Sequence, residues 1–225
     1  MASDAYKKIT LNYYLQFLKT QPTGFVYRKT AKTKNIINDK NEQLCELKKL
    51  YKNCQSCPLA NQGRSRVVFG DENPYASIMF IGEGPGRDED EQGIPFVGRA
   101  GQLLTKIIQA MGIKRKDVYI SNVVKCRPPE NRAPLLEESK TCTKLILFKE
   151  IEIVKPQIIC TLGATALQAL LGREAKITKC RGIFANFQGI EVMPTYHPAY
   201  LLRKPEAKKV VWDDMKKIMA KLSHV

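Results

Sequence analysis

Four cysteines, a glycine-rich turn, an asparagine and a histidine are the residues with which this chain could do chemistry. Cys54 and Cys57 form a CxxC pair followed by Pro58. Cys126 lies in Lys125-Cys126-Arg127-Pro128-Pro129, and Cys142 follows sixteen residues later. Four thiolates can hold a structural zinc or a [4Fe–4S] cluster, and spacing alone does not separate the two. Seven cysteines without an export signal argue against a disulfide framework, so Cys45, Cys160 and Cys180 read as small structural hydrophobes. Gly82, Gly84 and Gly86 in Gly82-Glu83-Gly84-Pro85-Gly86 let backbone amides approach a ligand such as a phosphate closely. Asn122 ends an apolar run and offers one acceptor and two donors. His197, one of two histidines, precedes Pro198, and Phe96 sits in a Gly/Pro-rich loop where an aromatic face is free to stack.

These residues need a frame. SIMFIGE (77–83), DVYISNV (117–123) and QIICTLG (157–163) are short apolar runs that read as buried strands, and a hairpin with a fourth core strand is expected within 177–198. Helices are expected over 41–51, over 99–111 with Leu103, Ile107 and Met111 on one face, and over 134–154 with Pro134 in its first turn. Two more are expected over 164–172 and 205–223, the last with Trp212 as a core anchor. Alternating strands and helices predict an α/β fold: three layers, α/β/α, around a mostly parallel four-stranded sheet. Ligands in such sheets bind beyond the carboxyl ends of the strands, where Gly82–Gly86, Asn122–Arg127, Gly163 and His197–Leu202 fall.

Residues 1–40 read as a basic extension, in which LNYYLQFLK could form one helix, and residues 41–225 as the functional domain. The formal net charge is +15; residues 1–70 hold 13 Lys/Arg against 4 Asp/Glu, whereas residues 71–197 hold 17 against 15. Basic ends on a balanced middle suit a polyanionic partner such as nucleic acid. No apolar run approaches the roughly 18 residues that span a bilayer. A soluble cytoplasmic monomer with no membrane contact is expected, with an organellar address left open by the basic, acid-poor start.

Taken together, the motifs resemble those of family 4 uracil-DNA glycosylases. Gly82–Gly86, Glu89-Asp90 and Pro95-Phe96-Val97-Gly98-Arg99-Ala100-Gly101 resemble that family's first motif, Asn122–Pro129 its second, and His197-Pro198-Ala199-Tyr200-Leu201-Leu202-Arg203 its third. The resemblance covers about residues 50–222. It implies a [4Fe–4S] cluster on Cys54, Cys57, Cys126 and Cys142, and hydrolysis of the bond joining uracil to deoxyribose in single- or double-stranded DNA. Phe96 would stack on the flipped base and Asn122 would read its edge. His197 would donate to O2 as charge develops there.

Family 1 relatives carry an aspartate at the position of Gly84 and a tyrosine at that of Gly86. Here Glu83 is the first choice for the water or cation role, and Glu89 for excluding the methyl group of thymine. Asp88 and Asp90 read as solvated. Leu201 and Leu202 would fill the hole left by the base, followed by Arg203, with Arg99, Lys125 and Arg127 on phosphates. Three other readings compete: a non-catalytic nucleic-acid-binding module with a four-cysteine metal site, a glycosylase that also takes hypoxanthine or mismatched thymine, and the covalently trapping relative. The last carries a basic insertion with a nucleophilic histidine after the second motif, where this chain has Asn131-Arg132-Ala133-Pro134.

Overall fold

The computed structural model describes residues 39–223. The expected LNYYLQFLK helix and His224 lie outside them. Among the described residues six strands form one open sheet, in the order β1-β3-β2-β4-β6-β5. The four inner strands, β3 (Tyr119–Asn122), β2 (Ile78–Gly82), β4 (Ile158–Leu162) and β6 (Ile190–Thr195), run parallel. Two short strands, β1 (Asp71–Glu72) and β5 (Ala185–Phe187), add antiparallel edges.

The inner strands are mostly apolar because both faces are covered. Alternate residues divide between two cores. Met79, Ile81 and Ile159 pack with helices α1 (Lys40–Tyr51), α4 (Leu136–Cys142), α5 (Phe148–Val154) and α6 (Ala164–Leu171). Ile78, Phe80 and Ile158 face α3 (Arg99–Ala110), α8 (Pro198–Arg203) and α9 (Lys208–Leu222). The short helices α2 (Arg87–Gln92) and α7 (Ile177–Cys180) lie in connections.

The structure departs from sequence expectation in several details. α3 buries Leu104 and Ile108 rather than Leu103 and Ile107, which are only partly covered. The apolar stripe is wide enough that periodicity alone leaves its centre one residue uncertain. The long helix over 134–154 is interrupted by a π turn at Thr143–Leu147, directly after Cys142. π turns of this kind gather at functional sites. Pro134 stands before the helix: Leu135 is the N-cap, and Glu138 accepts from its amide at 2.7 Å. Cys180 ends α7 and is buried, rather than lying in a hairpin.

Candidate active site

The strand ends place Gly82, Asn122, Gly163 and His197 along one edge of the sheet. Backbone bonds zip the first two loops together: Val123 N–H donates to the Gly82 carbonyl at 2.9 Å and Val124 N–H to the Glu83 carbonyl at 3.1 Å. A Cβ on Gly82 would collide with Phe96 Cζ and lie 2.5 Å from Asn122 Oδ1. Glycine is therefore required there because the aromatic wall and the amide converge over that backbone.

Phe96 is buried and has φ +56°. A left-handed phenylalanine is strained, and such strain persists where the surroundings hold it. Arg115 does so: its guanidinium donates to the Pro95 carbonyl at 2.7 Å and the Phe96 carbonyl at 3.0 Å. On the other side, Glu89 accepts from Gly86 N–H at 3.1 Å, Val97 N–H at 2.9 Å and Gly98 N–H at 2.8 Å. Its carboxylate also stands 2.7 Å from where a Gly86 side chain would begin. Arg115 gave no sequence signal, since its contacts are to carbonyls of a loop about twenty residues away.

Asn122 is 2% exposed, and among the described residues its buried Oδ1 has no hydrogen-bond partner. A buried acceptor left unmade costs about 1–3 kcal/mol, so an orphan of this kind points to a ligand group that completes it. The His197 ring lies 5.6 Å from that of Phe96, tilted by 34°. Its Nδ1 accepts from Ala199 N–H at 3.1 Å as the N-cap of α8. A neutral ring accepting at Nδ1 carries its proton on Nε2. Burial, helped by nearby Arg203, lowers the His197 pKa to about 4.

This has a pH consequence. Between pH ~6.5 and 4 the unfolded histidine binds a proton that the folded one refuses, so folding stability falls as pH drops through that window. Turnover should likewise keep His197 neutral down to about pH 4. A pH–rate profile for the chemical step should show no acid limb at His197's ordinary pKa; a limb near pH ~6.5 that His197→Gln removes would contradict this.

Glu83 accepts a short hydrogen bond from Thr165 Oγ1, which ties the end of β2 to the start of α6. No local sequence pattern marks Thr165, because its partner is distant in the chain. Asp90, read from sequence as solvated, is 2% exposed and accepts from Ser65 N–H at 2.8 Å, joining α2 to the loop after the CxxC pair.

The expected DNA-contacting residues divide. Arg99 and Arg203 are exposed, and Arg127 is half-buried with its Nε on Asn131 Oδ1 at 2.8 Å. Lys125 is fully buried and ion-paired with Glu150 at 2.8 Å, so the expected phosphate contact is overturned. Leu201 is not placed to act as the expected wedge: it is 1% exposed and packs in the core under α8, whereas Leu202 is 40% exposed.

Cys54, Cys57, Cys126 and Cys142 line one pocket with Arg64, Lys125 and Ile146. Arg64 donates to Cys126 Sγ at 2.7 Å and to the Cys54 carbonyl at 2.6 Å, and Lys125 N–H donates to Cys142 Sγ at 3.3 Å. Burial pushes the Cys142 thiol up to about 12 and raises Cys57 and Cys126. Thiols so placed ionise when a cationic centre sits between them. Four thiols lining one pocket are a donor set that suits a zinc or a [4Fe–4S] cluster. Arg64 escaped the sequence reading because the bond it makes to sulfur spans 62 residues.

Comparison with known proteins bears on this geometry. The family model for the uracil DNA glycosylase superfamily matches residues 69–216. A type-4 uracil-DNA glycosylase of Thermotoga maritima is 48% identical over 181 residues, covering 78% of this chain and 93% of that protein. One from Pyrobaculum aerophilum is 47% identical, covering 72% and 86%. One from Sulfurisphaera tokodaii is 41% identical, covering 79% and 84%.

Proposed function

The chain belongs to the type-4 uracil-DNA glycosylases, and from that premise we propose how its residues divide the work of hydrolysing the N-glycosidic bond of deoxyuridine in DNA. Flipping the base out of the stack costs a few kcal/mol, less when it is mispaired. Phe96 stacks on the extruded ring. Asn122 accepts from uracil N3–H and donates to O4, whereas cytosine presents the opposite pattern. The carrying observation is the buried, unpartnered Oδ1 of Asn122 beside Phe96.

Bond cleavage sends the glycosidic electron pair to N1 of the base, and charge spreads to O2. His197 donates to O2 from Nε2 and, being neutral, keeps its proton. The sugar is left electron-poor, and Glu83, held by Thr165, stabilises it and orients the water that bonds to C1′; the water's proton leaves through the Glu83 carboxylate to solvent, from which the departing uracil anion is protonated. Gly84 leaves that role open by carrying no carboxylate. Glu89 stands over Gly86 where it bars a methyl group at C5. Leu202 enters the vacated stack, and Arg99, Arg127 and Arg203 meet phosphates.

Cys54, Cys57, Cys126 and Cys142 would hold a [4Fe–4S] cluster. Its bound contribution is a charged core that keeps four thiolates and the loops bearing them together. No step of the hydrolysis passes through it.

The test is direct. Purified protein incubated with an oligonucleotide bearing one uracil, single- or double-stranded, should give an alkali-labile break at that base. It should also be brown, with broad visible absorption that Cys142→Ser removes. No break at any salt concentration would refute the catalytic assignment, and a colourless active protein would refute the cluster.

A further inference from the structure

Lys125 donates from Nζ to three buried oxygens: Ser121 Oγ at 2.6 Å, the Asn122 carbonyl at 2.6 Å and Glu150 Oε2 at 2.8 Å. Ser121 Oγ in turn donates to Glu150 Oε2 at 2.6 Å, and Gly70 N–H donates to Glu150 Oε1 at 2.8 Å. Lys125 is 0% and Glu150 1% exposed. Exchanging a pair so deeply buried for apolar side chains is often neutral or stabilising, so stability alone does not account for it. Its geometry gives another account.

Val123 N–H bonds to Gly82 on β2. Across a trans peptide the Asn122 carbonyl then faces the opposite way, toward β1. β1 pairs only with Tyr119 and Ile120, and has ended before Asn122 is reached. Among the described residues no strand amide reaches that carbonyl, and the ammonium of Lys125 takes its place. The same residue's N–H reaches Cys142 Sγ, and its neighbour is Cys126.

We propose that Lys125, Glu150 and Ser121 form a buried tie that positions Asn122 for reading the base and joins it to the four-cysteine site. Lys125 is a positioning residue in this scheme and touches neither substrate nor phosphate. The tie rests on the reading of Asn122 given above.

Steady-state excision from a single-stranded uracil oligonucleotide tests it on the intact protein. Lys125→Met/Glu150→Gln removes both charges together, so neither is left unpaired. The double variant should lose about 10- to 100-fold in kcat while KM stays within about twofold, because a displaced Asn122 still admits DNA but reads the base poorly. Thermal unfolding should remain cooperative and visible absorbance should match the parent. Ser121→Ala, a smaller change, should lower kcat by a lesser factor with the same split.

Wild-type kcat in the double variant would overturn the tie. So would a loss that, in both variants, appears only with loss of cooperative unfolding or absorbance. Asn122→Ala separates the two layers. If it is inactive while the double variant is wild-type, the tie alone fails; if it is itself wild-type, the base-reading role fails and the tie with it.

Discussion

Asn122→Ala is expected to lower single-turnover uracil excision by about 10³-fold or more while leaving the folded protein as stable as before, or more so. The two effects have one cause. Oδ1 is buried without a partner, so the free protein carries an unmade hydrogen bond that alanine removes. In the complex that atom would take the N3–H of uracil, and its loss leaves a buried donor on the base unmet. A mutation that merely damaged the fold would lower both rate and melting temperature. Opposite movement of the two, read by single-turnover cleavage and thermal unfolding, marks a residue held in a costly state for binding. A parallel fall in both would remove the assignment.

His197→Ala should cost about 10²- to 10³-fold in the same assay, the size associated with removing one preorganised donor to a developing anion. Here stability should fall too, because Nδ1 caps α8 through Ala199 N–H and losing an N-cap costs ~1 kcal/mol. His197→Asn disentangles the roles. Asparagine is a good N-cap and should restore most of the stability, but it carries no imidazole N–H at the Nε2 position and should leave the rate low. Recovery of rate with Asn would mean that capping, and not donation, is what His197 contributes. The ring is held neutral by burial, so neither result should depend on pH between about 6 and 8.

Both residues were legible in the sequence because each sits at the end of an apolar run, where an α/β sheet exposes its loops. Asn122 closes β3, and His197 follows β6 by two residues. The cysteine set was legible for a similar reason: Cys126 lies on the loop that leaves β3, in a short segment whose residue types are unusual, and the CxxC pair stands out by its spacing. Arg115, Thr165 and Arg64 were not legible. Each acts on a partner far away in the chain, and no local pattern encodes that.

Lys125 shows the boundary most clearly. Beside Arg127 in a basic loop it reads as a phosphate contact, since lysine is rarely buried. Only the packing of α5 against β3 brings Glu150 to it and turns its charge inward. Leu201 and Leu202 divide on the same principle: equal in sequence, they differ because α8 presents one to the core and the other to solvent.

By itself, then, the sequence determined the strand–helix alternation and the end of the sheet where Gly82, Asn122 and His197 gather, which follow from local periodicity, and its motifs, by their resemblance to family 4, implied which residues to propose as wall, reader, donor and thiols. The tertiary structure decided which charges are exposed, which proton His197 keeps, what holds Phe96 in a strained conformation, and how the cysteine loops connect to Asn122. Those depend on contacts between residues distant in the chain, and burial, not residue type, sets their energies.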